Sequence, residues 1–383
     1  MIYISAFGML SALGNDLATI ARNLVRGVAP GMQPRDGWLS GGRRCWLGAV
    51  EGKLPPVPSH LATHNTRNNQ LLLAALAQIR PALEAAVANY GAGRVAIVLG
   101  TSTSGVDEGD RHRRAPYSGY HYQMQELGDP SRFLANYLQL YGPAYTISTA
   151  CSSSARAIIS GQRLIAAGLA DVALVGGADS LSRMPVNGFD SLASLSGQRC
   201  APFSRDRDGI SIGEGAALML LTREPQPLAL LGVGESSDAW HMSAPHPEGE
   251  GAQRAMEMAL SSAGLTAQEV GYINLHGTAT PLNDQIESKV VHRLFGDRVP
   301  ASSTKHLTGH TLGAAGVIEA AIAALILRDG LPLPPQDFST AAQDSNLPAC
   351  GLLLAPQPLQ KPVIASNSFA FGGNNSCLIL GRT

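Results

Sequence analysis

Cys151 stands in "YTISTACSSSARAIISGQ", between a β-prone run and a helix-prone run, with small residues on both sides. A helix N-terminus offers free N–H groups and a partial positive charge. Both favour thiolate over thiol and lower a reference pKa of about 8.5. A cysteine in that setting is either a nucleophile or a small buried residue at a tight turn. Its own neighbours do not separate the two.

Three other stretches hold groups able to work with it. In "NLHGTATPLND", His276 ends an apolar strand and faces the crevice where α/β sheets bind ligands, or is simply a turn histidine. In "SSTKHLTGHTLGAAG", Lys305 and His310 lie five residues apart around Gly309. Glu319 follows nine residues after His310, on the next helix, where it could hold Lys305. The positive end of that helix disfavours an imidazolium at His310 and keeps a neutral ring that donates one hydrogen bond. A solvated lysine and a capping histidine fit either residue taken alone. In "NSFAFGGNNS", Gly372 and Gly373 after Phe371 make a turn with exposed backbone N–H groups. Such groups suit an oxyanion hole, and the same pair suits a plain hairpin.

These residues fall at the junctions of an alternating pattern. "MIYISAF" reads as a first strand with no basic leader, and "DLATIARNLVRG" as a helix starting near Asn15 or Asp16 and closed by Gly27. "NNQLLLAALAQIRPALEAAVANYG" is a long helical run broken or bent at Pro81. "PAYTIST", "CSSSARAIISGQRLIAAG" and "DVALVGGAD" make a strand–helix–strand unit of the buried parallel type. Near Pro225 the chain restarts with a second strand, "LALLGVGESSDAW", and further α/β elements, among them the strand "EVGYINLHGTAT". It ends on two strands joined by the glycine-rich loop. The pattern predicts two α/β halves of similar element order, residues 1–224 and 225–383, with the cysteine in the first and both histidines in the second. The polar, aromatic stretch between Gly105 and Leu127 reads as an irregular lid or subunit contact.

Composition narrows the function classes. Hydrophobic residues are 45% of 383 and charged residues 15%, as suits a well-buried globular chain. A net charge of −1 gives no reason to expect nucleic acid or an anionic membrane. The five cysteines lie far apart with no metal-ligand spacing, and Pro245 breaks helical ligand spacing between His241 and His246. Neither a disulfide framework nor a metal site is expected. No stretch reaches the length of an uncharged membrane span, "GVIEAAIAALILRDG" coming closest, and a cytoplasmic protein is expected.

Taken in order, the cysteine elbow, "HGTAT", "KHLTGHTLGAAG" and "NSFAFGG" resemble the β-ketoacyl-acyl-carrier-protein synthases, the elongating branch of the thiolase-like superfamily. "APFSRDRDGISIGEGAALMLL" and "DAWHMSAPHPEGEG" are similar to further stretches of that family, so the resemblance spans the chain. It implies a thiolase-like fold, two similar α/β halves in a five-layered αβαβα arrangement, and a dimer. It implies that Cys151 carries the acyl chain as a thioester. His276 and His310 would then drive decarboxylation of a malonyl unit, with Lys305 and Glu319 organising the pocket. The N–H groups of Cys151 and Phe371 would form the oxyanion hole. Phe371 would gate the acyl tunnel, with Phe203 near it and Gly372 and Gly373 in the gating turn. Thr278 and Thr280 would contact a phosphopantetheine arm. No free cofactor is implied, since the substrates ride on acyl carrier protein.

Some residues depart from the family pattern. Ala370 stands where glycine is usual, "GGNN" replaces "GGTN", and the loop after "RVAIVLG" is charged rather than glycine-rich and hydrophobic. These differences point to a specialised polyene or polyketide synthase rather than the housekeeping enzyme. A degradative thiolase needs a second cysteine at the glycine-rich loop, and Cys377 lies beyond it. A non-catalytic chain-length factor lacks the nucleophile. The chain as catalytic half of a heterodimer with such a factor, of aryl-polyene type, stays open beside a homodimer. Acyl carrier protein is acidic, so Arg43, Arg44, Arg67, Arg111, Arg113 and Arg114 are candidate docking residues.

Overall fold

The computed structural model describes residues 1–383. The first half opens with β1 (Ile2–Leu10) and α1 (Leu17–Arg26). Asp16 caps α1 by accepting the Thr19 N–H at 2.8 Å, and Gly27 ends it at φ +63°. Two short strands, β2 (Met32–Arg35) and β3 (Cys45–Gly48), precede α2 (Arg67–Tyr90), which Thr66 caps. Then come β4 (Val95–Gly100), α3 (Val106–Arg114), α4 (Asp129–Leu138), β5 (Ala144–Ile147) and α5 (Ser153–Ala166). β6 (Val172–Asp179), α6 (Arg183–Ser191), β7 (Ile212–Gly213) and β8 (Gly215–Thr222) complete it.

The second half starts with β9 (Leu228–Ser237), α7 (Glu250–Ala263), β10 (Tyr272–Asn274) and α8 (Pro281–Phe295). It continues through β11 (Ala301–Ser302), α9 (Lys305–Thr308) and α10 (Ala315–Asp329) to β12 (Val363–Phe369) and β13 (Asn374–Arg382).

Ten strands form one hydrogen-bonded sheet in the order β11-β10-β12-β13-β9-β1-β8-β6-β4-β5. Leaving aside the small β2-β3-β7 sheet, each half runs third-second-fourth-fifth-first in its own strand order. The repeat is invisible as sequence identity because any buried strand accepts many apolar residues. The halves meet edge to edge through two residue pairs, Ile2 with Leu230 and Tyr3 with Ala229. α5 lies on β4 and β6, α10 lies on β12 and β13, and the two helices pack together between the halves. α2 and α4 cover the outer face of one half, and α7 that of the other, with α8 packed beside it. This gives the layers α, β, α, β, α of a thiolase-like fold. Gly316 sets how closely the central helices approach, since a Cβ there would lie 2.7 Å from that of Ala155.

Four expectations change. α2 runs unbroken through Pro81. It is also long and apolar enough by composition to span a bilayer, yet its Leu72, Leu76, Ile79 and Leu83 face is buried in the core. The 105–127 stretch is not irregular throughout. It forms α3, a polar helix laced by Arg111 to Asp107 and Glu108 and by Arg113 and Arg114 to Asp110. Pairs at i,i+3 and i,i+4 hold it where an apolar stripe is missing. The strand before His276 is only three residues long, so the histidine loop begins earlier than the apolar run suggests.

Candidate active site

Cys151 sits in the elbow between β5 and α5. Ala150 just before it takes a left-handed φ of +51°, and its carbonyl accepts the Ser153 N–H at 3.1 Å and the Ser153 hydroxyl at 2.6 Å. The side chain is 6% exposed. Burial pushes its thiol up to about 11, against the opposing pull of the Lys305 charge and the N–H groups of Phe371 and of Cys151 itself. The expectation of a resting thiolate therefore fails: loss of hydration outweighs the helix end.

His276 follows β10. The N–H groups of His276 and Gly277 both donate to the buried carboxylate of Glu287, each at 2.7 Å. Gly277 is glycine of necessity, because a Cβ would lie 2.4 Å from Ser303 and 2.8 Å from the Phe203 ring. Lys305 is fully buried on α9, where its ammonium pairs with Glu319, donates to the His276 carbonyl at 2.6 Å and lies 3.4 Å from His276 Nδ1. An ammonium only donates, so Nδ1 is the acceptor and Nε2 carries the proton. Burial and then the Lys305 charge hold the His276 imidazolium well below the usual range. Burial pushes the Glu319 carboxyl up, with Lys305 opposing.

His310 lies between α9 and α10, its N–H donating to the Ser211 carbonyl at 2.7 Å. The Leu312 N–H donates to His310 Nδ1 at 3.1 Å, which again places the ring proton on Nε2. Its pKa also falls well below the usual range, with burial as the main cause and Lys305 second. The neutral ring expected from the helix end is thus present, chiefly for a different reason. The two imidazoles stand perpendicular with centroids 5.4 Å apart. One donor atom from each, together with Cys151 Sγ, all lie within 4.8 Å of one another. Sulfur and two nitrogens at that separation resemble a metal-ligand set, but the adjacent Lys305 ammonium makes the place unfavourable for a second cation.

These three side chains face one cavity of about 270 Å³, also lined by Thr278, Thr280, Phe189, Phe369 and Phe371. The Thr278 and Thr280 hydroxyls are joined at 2.8 Å. In the glycine-rich turn, the Gly372 N–H donates to Met242 and the Gly373 N–H to Ala370, at 2.8 and 3.0 Å. Neither glycine N–H is therefore free for an oxyanion. They shape the turn at φ +81° and +73°, and the Phe371 N–H favours the ionised form of the Cys151 sulfur. Ala370 sits in this turn at an ordinary φ, so its methyl group adds no backbone strain.

Phe203 does not line the cavity. It is wholly buried behind Gly277, with its N–H on Asp284 at 2.8 Å, and the ring packed against Phe371 is that of Phe189, 5.4 Å away. The six arginines considered for docking are all paired within the chain: Arg43 with Asp190, Arg44 with Asp36, Arg67 with Glu214, and the three on α3 as described above. Arg67 is a structural residue, since Glu214 is almost wholly buried beneath it. Sequence reasoning missed Asp284 and Glu287, which sit eight and eleven residues after His276 on one face of α8. That spacing was readable, but acids near a helix start are common dipole partners, and only burial sets these two apart.

Two stretches match known families: residues 70–226 the "Beta-ketoacyl synthase, N-terminal domain", and residues 229–338 the "Beta-ketoacyl synthase, C-terminal domain". A 3-oxoacyl-[acyl-carrier-protein] synthase 2 of Rhizobium meliloti (strain 1021) is 41% identical over 266 residues, which span 64% of this chain and 62% of that relative. Among solved structures, a ketosynthase (ApeO) in complex with its chain length factor (ApeC) from Xenorhabdus doucetiae is 62% identical. It superposes at a TM-score of 0.99 over 100% of this chain and 98% of its own. The ishigamide ketosynthase/chain length factor is 26% identical at a TM-score of 0.88, over 100% and 99% of the two chains. With both domain matches in sequence order and the thiol between two imidazole donors, the chain belongs to the β-ketoacyl synthase family.

Proposed function

We propose that the protein joins an acyl group to a malonyl unit by decarboxylative condensation, giving a 3-oxoacyl-acyl-carrier-protein and CO2. The observation that carries this reading is the convergence of one thiol and two neutral imidazole donors in a single buried cavity. In the first half-reaction Cys151 attacks an acyl thioester. The Cys151 and Phe371 N–H groups receive the oxyanion, and the thiol proton leaves with the departing pantetheine sulfur. In the second, the malonyl thioester enters with its carbonyl oxygen toward the His276 and His310 Nε2–H groups. Loss of CO2 leaves an enolate on that oxygen, held by two donors. Its carbon then attacks the Cys151 thioester, and the expelled sulfur takes a proton from solvent. The Lys305 ammonium fixes the His276 tautomer and adds positive potential where the enolate forms.

The Thr278 and Thr280 hydroxyls would meet the amides of a phosphopantetheine arm, a role supported by their position in the cavity wall. Phe371 would gate the acyl channel, a role supported by its contact with Phe189 and its place in the cavity lining. A second reading concerns assembly: the chain is the catalytic half of a heterodimer with a chain length factor. It is favoured by the end-to-end superposition, at a TM-score of 0.99, on a ketosynthase that was solved with such a partner. Intact-mass spectrometry after incubation with an acyl-carrier-protein thioester tests the nucleophile. The wild type gains the acyl mass and Cys151→Ala does not. An acylated Cys151→Ala variant contradicts the assignment.

A further inference from the structure

Asp179 ends β6, is wholly buried, and takes no part in the steps above. Its carboxylate accepts the hydroxyls of Thr101 and Thr103 at 2.6 and 2.8 Å and the Thr103 N–H at 2.9 Å. The Ser102 N–H reaches it at 2.9 Å, and the Gly313 N–H at 2.6 Å. Four of these donors come from the loop after β4 in the first half, and the fifth comes from the turn before α10 in the second. Burying a carboxylate without a cation is costly, and donors of this number are what makes it tenable.

Two backbone conformations show what the carboxylate holds. Ala150, just before Cys151, and Leu312, two residues after His310, both have φ of +51°. Side chains are strained in that region, and such residues persist only where their surroundings over-determine them. Both lead back to Asp179. Ser102, held by its N–H, donates its hydroxyl to the Ala150 carbonyl at 3.2 Å. Gly313, held by its N–H, directly follows Leu312, whose N–H fixes the His310 tautomer. A Cβ on Gly313 would lie 2.7 Å from the Asp179 oxygen, so glycine is what admits the carboxylate.

We infer that Asp179 is a positioning residue for the condensation. It touches no reacting atom and locks the two strained elbows that aim the Cys151 sulfur and the His310 Nε2–H. The sheet order supports this division of labour. Asp179 ends the fourth strand of its half, and the turn after the fourth strand of the other half presents the Phe371 N–H. Equivalent strand ends thus supply an anchor in one half and an oxyanion donor in the other.

The kinetic part of this inference rests on the condensing reading, and the tautomer part does not. Asp179→Asn keeps the shape but turns an NH2 group toward a backbone N–H in either orientation, since N–H groups meet both carboxylate oxygens. In protein labelled with 15N-histidine, wild-type His310 Nδ1 should resonate as a bare acceptor nitrogen, and in the variant the proton should be shared between both ring nitrogens. Condensation should slow about 10²-fold, the cost of misplacing a reacting group by about an ångström, with KM for the malonyl thioester little changed. A folded variant with the wild-type tautomer and turnover overturns the inference. Ser102→Ala serves if that variant does not fold. It keeps the carboxylate and the Gly313 bond and removes only the tether to Ala150. It should slow Cys151 acylation while leaving the His310 resonances unmoved, and the reverse pattern overturns the inference. A wild type that is never acylated would count against the condensing reading and leave the tautomer experiment standing.

Discussion

Burial pushes the Cys151 thiol up to about 11 and the Asp179 charge adds to this, against the Lys305 charge and two backbone donors. The shift is toward the protonated thiol at neutral pH. Iodoacetamide alkylation of Cys151 should therefore rise about tenfold per pH unit from 7 to 9. A plateau near neutrality would show a thiolate already formed. At this scale the sequence was informative about which residues meet. Cys151, His276, Lys305 and His310 were marked by position at strand or helix ends, and Glu319 by its place on the helix after His310. It was uninformative about protonation, which burial decides, and about Asp179, Asp284 and Glu287, whose importance lies in being wholly enclosed.

The elements explain why residues so far apart in sequence arrive at one point. α5 and α10 follow the third strand of their respective halves and pack against each other, so Cys151 and His310 lie before equivalent helices. Small residues allow that contact. Gly316→Val should push the central helices apart and destabilise the protein by about 1–3 kcal/mol as read by urea unfolding. Condensation should fall with it, since the elbow before α10 moves. Unchanged stability would mean that the Gly316–Ala155 approach is not close-packed. Most element boundaries were legible from caps and periodicity, as at Asp16 and Gly27 around α1. α3 was not, because its stability comes from charge pairs rather than an apolar stripe. Pro81 does not break α2, because tertiary packing on the sheet keeps the helix in one piece.

On the scale of the molecule, the duplicated strand order brings the ends of β5, β10 and β12 to one cavity, so both halves contribute to its lining. In the proposed reaction the first half would supply the nucleophile Cys151 and its anchor Asp179, and the second the two histidines, Lys305 and the Phe371 gate. The order of motifs along the chain disclosed this before the fold did. The repeated topology stayed hidden because it is a property of pairing rather than of residue identity. The account's central claim is that acylation and decarboxylation use separable groups in one cavity. The most direct test follows His310→Ala by intact mass through both half-reactions. The variant should take up the acyl group on Cys151 at near the wild-type extent and then retain it. Malonyl-carrier protein should discharge it about 10²–10³-fold more slowly than from wild type, the usual effect of removing one oxyanion donor. Discharge at the wild-type rate, with 3-oxoacyl product formed, would contradict the account.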